Sequence, residues 1–267
     1  LMALYFVDRT YAIFTSQDLL HWDLLQKFDL PGDDECPDLY PLTADDGRTL
    51  WVYSGAHDMY FVGDFDENGL YQPIQSVGQL SYNSQSYAAQ TYYYEPGKPV
   101  IRFAWNRSDI PGAPFNGSMC TPTEMTLKKH GDRYYLSALP IKSTENLVVK
   151  SDKLDDFTLT HCTHELGSKT CRISFTVKEG NLTCSLYGLE MKLDKNGLTC
   201  GESILPRLKN EPMKVDIITD TNSVEIYLNG VANTVIAHVL DETKPTFTIH
   251  AEDPVEVQNL TVSELSL

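Results

Sequence analysis

The feature that most limits the fold of this chain is a succession of short apolar segments with a two-residue period, separated by turn-forming residues. No segment shows helical periodicity over a useful length, and 16 glycines and 14 prolines interrupt the chain at short intervals. Many short strands joined by tight turns are typical of all-β proteins. Up to about residue 150 the pattern places about four strands in every 45 residues, which is the spacing of propeller blades. The chain is therefore predicted to be all-β.

Turn-forming segments divide this first part into hairpins. A short polar turn between two apolar runs favours antiparallel pairing of those runs. The hairpin turns predicted in this way are Asp8-Arg9, Ala56-His57-Asp58, Glu95-Pro96-Gly97-Lys98 and His130-Gly131-Asp132. Asp66 to Gly69 is predicted to be a further turn, because an Asp side chain accepts hydrogen bonds from the backbone that follows it.

The apolar pattern lapses between residues 142 and 156, where serine, threonine and charged residues are concentrated. This lapse predicts a domain boundary, with a first domain over residues 1–148 and a second over residues 149–267. Beyond the boundary the alternation is regular, as in segment 173–177. Strands with one buried and one solvated face predict a C-terminal β-sandwich of two antiparallel sheets.

Charge and hydropathy exclude two classes of partner. The net charge of −16 argues against nucleic acid, which is bound through clustered Lys and Arg. No run of about 18 apolar residues indicates a membrane span. The negative charge fits a protein acting on a neutral ligand, but an acidic surface also serves solubility alone. No motif predicts a cofactor.

The cysteine pattern predicts neither a metal site nor a disulfide framework. The six cysteines show no Cys-x-x-Cys spacing, so a zinc site is not expected. Cys184 lies in a strand-like alternation and is predicted to be a buried free thiol. A Cys162–Cys171 disulfide is neither required nor excluded by the spacing. This usage favours a reducing compartment, and hence a cytoplasmic over a secreted protein, without deciding the location.

An acidic segment near the start carries the main catalytic candidate. Asp33, Asp34, Glu35 and Asp38 lie within six positions. Pro37 disfavours the helical region for Cys36, so the segment is expected to be extended, with Glu35 on a loop that enters a strand. Neighbouring like charges disfavour the ionised form of a carboxylate, which is what a general acid requires. The alternative interpretation is a solvated acidic turn.

Residues Glu35-Cys36-Pro37-Asp38, followed by an aromatic residue, proline and leucine, resemble the acid/base motif of glycoside hydrolase family 32, the invertases, levanases and inulinases. Other segments resemble the same family in the same order along the chain. These are residues 2–22, 60–66 (its YxVGxxD strand), 87–90 (its YAxQ), 104–105 (its GW), 117–127 and 220–230. The ordered set carries the resemblance, since each match alone is short.

The resemblance implies a five-bladed β-propeller followed by a β-sandwich, of which this chain would hold about three blades and the sandwich. It also implies that Glu35 is the general acid/base of a retaining hydrolase. Retention needs a second carboxylate about 5 Å away as nucleophile. In the family this is the Asp of an NDPN motif, and a third Asp comes from an RDP motif; neither motif occurs in these 267 residues. We therefore expect the chain to be a fragment of a longer protein or the product of a truncated gene, and to be inactive alone.

The same resemblance implies four substrate-binding residues. Cys36 and Tyr87 match positions that line the fructose pocket, and Trp105 matches the apolar base of that pocket. Asp66 matches the leaving-group side. Each has a structural alternative: strand packing for Cys36 and Tyr87, a core position for Trp105 and a turn for Asp66. The chain also departs from the family at Ser86 and at Thr123, where the family has arginine, and these departures put substrate details in doubt.

Two classes of function remain open. The first is a hydrolase of β-fructosides such as sucrose, levan or inulin, and the second is a non-catalytic carbohydrate-binding or structural part. The related arabinan and xylan hydrolases are disfavoured by Glu35-Cys36-Pro37 and by the sandwich segment. Three blades of a five-bladed ring would leave strand edges unpaired, so self-association or aggregation through those edges is also predicted.

Overall fold

The computed structural model describes residues 2–5, 10–92, 95, 97–110, 112–237 and 240–266. These residues form β-strands and a 3-10 helix at Lys142–Leu147, so the all-β prediction is confirmed. The chain divides into two compact units. Unit 1 comprises Leu1–Asn106 and Met119–Pro140, and unit 2 comprises Arg107–Ser118 and Ile141–Leu267. The predicted boundary between residues 148 and 149 stays a prediction.

Three antiparallel sheets make up unit 1. The first sheet contains β1 (Met2–Tyr5), β2 (Thr10–Thr15) and β3 (Asp23–Asp29). The second contains β4 (Asp38–Thr43), β5 (Thr49–Ser54), β6 (Met59–Phe65), β7 (Tyr71–Pro73) and β8 (Gly78–Gln79). The third contains β9 (Ser86–Thr91), β10 (Val100–Asn106), β11 (Ser118–Met119), β12 (Thr123–His130) and β13 (Arg133–Pro140).

The predicted hairpins can be compared with these strands. Residues 55–58 join β5 to β6, and residues 131–132 join β12 to β13, both as predicted. β9 and β10 also pair antiparallel as predicted, although Tyr93, Tyr94 and Pro96 lie outside the described residues. The Asp8-Arg9 turn lies outside the described residues as well.

Aromatic side chains fill the space between the first and second sheets. Tyr11, Tyr53 and Tyr71 are fully buried, and the Phe28 ring lies against them, with its centroid 4.6 Å from that of Tyr53. Two of the tyrosines use their hydroxyls: Tyr71 donates to the Trp51 carbonyl at 3.1 Å, and Tyr11 donates to a carbonyl at the candidate site. Buried tyrosines therefore position a loop as well as the sheets.

An aliphatic cluster packs the second sheet against the third. Its members include Leu50, Val52, Val62, Met125, Leu127, Leu136 and Ala138. A hydrogen bond crosses the same interface, because the Leu136 N–H donates to the Tyr60 hydroxyl at 3.1 Å. The second and third sheets thus hold β4, β6 and β9 in fixed relation, and these strands flank the candidate site.

Unit 2 is built around β24 (Thr246–Leu265), a strand of 20 residues. Near its start β24 pairs with β15 (Phe157–Glu165) and β17 (Leu182–Leu186), and near its end with β14 (Val148–Lys153) and β16 (Cys171–Val177). The remaining strands are β18 (Leu189–Asp194), β19 (Gly197–Cys200), β20 (Ser203–Pro206), β21 (Met213–Thr219), β22 (Ser223–Leu228) and β23 (Ala232–Ala237). All eleven belong to one hydrogen-bonded sheet. The predicted two-sheet sandwich therefore stays a prediction.

Strand alternation and cysteine state agree with the sequence. Ile173, Phe175 and Val177 are buried on one face of β16. All six cysteines are free, and Cys184 is buried as predicted. No helix among the described residues has the length and apolar character needed to cross a membrane.

Candidate active site

The loop between β3 and β4 carries Glu35. It begins with a turn in which the Asp33 N–H donates to the Leu30 carbonyl at 3.1 Å, with Gly32 at φ +88°. The side chain of Asp33 then points inward. One carboxylate oxygen accepts the His57 backbone N–H at 2.7 Å, and the other lies 3.2 Å from His57 Nδ1. Burial raises the pKa of Asp33, and these hydrogen bonds oppose the rise.

The backbone of Glu35 is fixed from two sides. Its carbonyl accepts a hydrogen bond from the Ala56 N–H and another from the Tyr11 hydroxyl, each at 2.9 Å. Ala56 belongs to the turn between β5 and β6, and Tyr11 belongs to β2. Both contacts come from residues more than 20 positions away. The exposed carboxylate of Glu35 is therefore carried on a restrained peptide.

Cys36 corrects one expectation from the sequence. Its φ is +47°, in the left-handed region, so the prediction of an extended Cys36 before Pro37 is wrong. The reason lies in tertiary contacts: the Cys36 carbonyl accepts Gln90 Nε2 at 3.0 Å, while the Glu35 carbonyl faces the opposite turn. Such a conformation costs about 1–3 kcal/mol and persists only where its surroundings impose it. The Cys36 thiol is half-buried. Its pKa is raised mainly by desolvation and also by the nearby charges of Glu35 and Asp33.

Tyr87 connects the Glu35 carboxylate to the third sheet. Its hydroxyl donates a hydrogen bond to Glu35 Oε2. Tyr87 lies on β9 directly opposite Trp105 on β10, and the two ring centroids are 6.5 Å apart. On the other side the His57 ring meets Tyr87 edge-on at 4.8 Å. Glu35, Tyr87, His57 and Trp105 therefore form one continuous surface, with Trp105 42% exposed.

A buried ion pair supports this surface from beneath. Asp58 accepts Arg102 Nε at 3.0 Å and a second hydrogen bond from Arg102 Nη2, which also donates to Ser86 Oγ at 2.9 Å. Asp58 ends the turn that carries His57, and Ser86 precedes Tyr87 on β9. Arg102 thereby connects the turn to the strands that carry Tyr87 and Trp105.

The structure does not bring Asp66 to the other predicted residues. Asp66 follows the last residue of β6, whereas Glu35 contacts Ala56, which precedes the first residue of β6. The seven residues of that strand span about 23 Å. One oxygen of Asp66 accepts the N–H groups of Leu70 and Asn68 at 3.0 and 2.9 Å, and the first of these lowers its pKa most. These contacts account for Asp66 as a turn residue.

Sequence reasoning missed Asp33, His57, Asp58 and Arg102 as members of this region. The sequence marks Asp33 only as one charge of an acidic segment, and it predicts His57 and Asp58 only as turn residues. A signal for Arg102 is present, because it is a lone cation in the apolar run of β10. A charge in such a strand is buried only when it is paired, so it indicates a partner elsewhere in the fold.

The family described as "Glycosyl hydrolases family 32 N-terminal domain" matches residues 6–138, about half of the chain. The chain belongs to glycoside hydrolase family 32. Among curated proteins it is 28% identical over 162 residues to a fructan beta-fructosidase of Streptococcus mutans, a match covering 51% of this chain and 11% of that protein. It is 26% identical over 186 residues to a levanbiose-producing levanase of Bacillus subtilis, covering 61% of this chain and 35% of that protein.

Solved structures of family 32 enzymes share the fold. The exo-inulinase from Aspergillus awamori superposes with a TM-score of 0.76 at 18% identity, covering 97% of this chain and 62% of that chain. The beta-fructofuranosidase from Schwanniomyces occidentalis, complexed with fructosyl-erythritol, superposes with a TM-score of 0.77 at 20% identity, covering 97% of this chain and 66% of that chain. At these identities the likeness shows the fold alone. The family 32 chain described here spans less than two thirds of each of these relatives.

Proposed function

We propose that this family 32 chain is part of a retaining hydrolase of β-fructosides, such as sucrose, levan or inulin, in which Glu35 is the general acid/base. The observation that carries the proposal is the exposed Glu35 carboxylate, oriented by the Tyr87 hydroxyl next to the half-exposed Trp105. The names of the relatives support the substrate class, since they include a fructan beta-fructosidase and a levanase.

The residues would divide the chemistry in a simple way. Glu35 would donate a proton to the oxygen of the leaving group and later remove a proton from the attacking water. Tyr87 would position the carboxylate, and the Trp105 ring would pack against C–H groups of the sugar. Cys36 would line the pocket beside them. The second carboxylate would have to come from outside these 267 residues, because the family's NDPN and RDP motifs are not among them.

The fold supports the same proposal at a finer level. We interpret the three sheets of unit 1 as three blades of a five-bladed propeller, and unit 2 as the sandwich that follows it in the family. The start of β4, immediately after the Glu35 loop, would then be the innermost part of a blade, where propellers commonly place their sites. Self-association through open blade edges stays a prediction.

The first experiment measures fructose released from sucrose, levan and inulin by the purified 267-residue chain. We expect none, because protonation of the leaving group without a nucleophile gives no glycosyl-enzyme intermediate. Fructose release that Glu35→Gln abolishes would show that the chain holds its own nucleophile. Trp fluorescence titrated with fructose on the same sample tests the alternative of a non-catalytic carbohydrate-binding part.

The second experiment tests the role of Glu35 in a protein that carries this chain together with the family's nucleophile segment. Glu35→Gln is expected to lower turnover of sucrose by about two to four orders of magnitude. The loss should be much smaller for a fructoside with a good leaving group, which needs little protonation. Equal losses on both substrates would contradict an acid/base role and indicate a structural one.

A further inference from the structure

A cluster of two carboxylates and one imidazole lies beside the candidate active site and has no role in the proposed reaction. Asp33, Asp34 and His57 place one potential ligand atom each within 4.8 Å of one another. The side chain of Asp33 is 0% exposed and that of His57 is 40% exposed, while Asp34 is half-buried. We propose that these three side chains bind one divalent transition-metal ion. This inference does not depend on the proposed hydrolase function.

The distance between the two better-defined ligand atoms suits such an ion. Asp33 Oδ1 and His57 Nδ1 are 3.2 Å apart. Two ligands that are each about 2.1 Å from a metal, at tetrahedral or octahedral angles, are separated by about 3.0–3.4 Å. The pair therefore matches two adjacent coordination positions. Asp34, the next residue after Asp33, would supply a third, and water would complete the shell on the exposed side.

Contacts outside the ligand set already orient the carboxylate of Asp33. Its Oδ2 accepts the His57 backbone N–H at 2.7 Å, while its Oδ1 accepts the Asp34 backbone N–H at 3.1 Å and faces His57 Nδ1. The carboxyl group also packs directly on Gly55, where a Cβ would come within 2.4 Å of Asp33 Cγ. Hydrogen bonds of this kind fix ligand orientation in metal sites and reduce the cost of assembling them.

Charge gives a reason for an ion at this place. Burying a carboxylate is costly unless it is paired. Among the described residues, the recorded ion pair of Asp33 is with His57, which is charged only when protonated. A dication bound beside the imidazole would compensate the buried charge of Asp33. It would also fix the His57 ring, which lies 4.8 Å from the Tyr87 ring.

The donor set selects the kind of ion. Imidazole suits zinc and other transition metals, carboxylates suit manganese, and Ca²⁺ and Mg²⁺ prefer oxygen ligands alone. Mn²⁺ and Zn²⁺ are therefore expected to bind, and Ca²⁺ to bind much more weakly. Mn²⁺ is the better probe, because free thiols compete for Zn²⁺ and Cys36 is a free thiol near this cluster.

The test is calorimetric titration of the metal-free 267-residue chain with MnCl₂ and ZnCl₂. We expect one site per chain, and at least a tenfold loss of Mn²⁺ affinity in Asp34→Asn and in His57→Gln. Asp33→Asn should lose Mn²⁺ binding as well. If this substitution of a buried residue impairs folding, the half-buried Asp34→Asn tests the site in its place. Circular dichroism of each variant checks that it is folded.

Two matched controls exclude other metal-binding groups. His161→Gln removes one ring of the exposed His161–His250 pair, whose centroids are 6.3 Å apart, and Cys36→Ser removes the nearby thiol. Both are expected to keep Mn²⁺ binding. The proposal is overturned if the wild-type chain binds Mn²⁺ no more tightly than His57→Gln and Asp34→Asn. It is equally overturned if either control substitution removes the site.

Discussion

Replacing Arg102 with methionine should destabilise unit 1 far more than the loss of one hydrogen bond would. Arg102 and Asp58 have side chains only 5% and 4% exposed, and they are joined by two hydrogen bonds. Methionine fills a similar volume without charge, so the main effect is to leave the Asp58 carboxylate buried and uncompensated. Ser86 loses its hydrogen bond from the guanidinium as well.

The magnitude follows from these contacts. Removing one partner of a buried ion pair costs about 3–5 kcal/mol, and the bond to Ser86 adds about 1 kcal/mol. A domain of this size is stable by about 5–15 kcal/mol, so Arg102→Met should remain folded but be strongly weakened. Asp58→Asn in the same chain removes the unpaired charge. Asn also fits the backbone at position 58, where φ is +60°, because Asn adopts the left-handed region readily.

The assay is urea unfolding of the wild type, both single variants and the double variant, followed by tryptophan fluorescence and circular dichroism. The double-mutant cycle should give a coupling energy of about 2–3 kcal/mol, with the double variant more stable than Arg102→Met alone. A loss below about 1 kcal/mol for Arg102→Met, or a coupling energy near zero, would refute the reasoning. Either result would mean that Asp58 does not depend on Arg102 for its compensation.

Two further predictions concern unit 2. Burial raises the pKa of Cys171 and of Cys200 from 9.0 to about 11, so their stabilising contribution is complete below pH 9 and is lost as pH rises to 11. Unfolding free energy should fall across this range by about 2–3 kcal/mol per thiol, and Cys200→Ala should make the decline shallower. Gly197→Ala should prevent folding of the β19–β20 hairpin, since its Cβ would lie 1.9 Å from the Leu205 carbonyl oxygen and φ is +146°. Recovery of a soluble, folded Gly197→Ala protein would contradict the prediction for Gly197. An unfolding free energy that does not change between pH 9 and pH 11 would contradict the prediction for the two thiols.

Patterns that depend on neighbouring residues could be predicted from the sequence. The alternation Ile173, Phe175, Val177 reports which face of a strand is buried, because side chains alternate across any strand. Glu35 does lie just before a strand, since β4 begins three residues later, although the extended Cys36 from which this was predicted is wrong. Local signals of this kind survive in the fold wherever tertiary contacts do not oppose them.

Contacts between segments that are far apart in the sequence could not be predicted in this way. The Asp33–His57 contact joins residues 24 positions apart, and Arg102 meets Asp58 across 44 positions. Local pattern carries no information on which distant segments become neighbours. The same limit explains Cys36, where the bias from Pro37 was outweighed by hydrogen bonds from distant residues. The polar framework of the candidate site was therefore visible only in the structure.

The two departures from the family pattern, at Ser86 and Thr123, lie on either side of Arg102. Ser86 accepts its guanidinium, and Thr123 is its direct cross-strand partner on β12. Directly opposed residues in antiparallel strands project to the same face about 5 Å apart, and both of these are buried, so only small uncharged side chains fit beside Arg102. The departures thus accommodate one buried cation and do not by themselves indicate a decayed site.

Thr123→Arg should accordingly destabilise the chain, because two guanidinium groups would share one buried space, and adding Arg102→Leu should relieve part of that loss. The test is the urea midpoint of the wild type, of Thr123→Arg and of the double variant. If Thr123→Arg alone is as stable as the wild type, Arg102 does not explain Ser86 and Thr123.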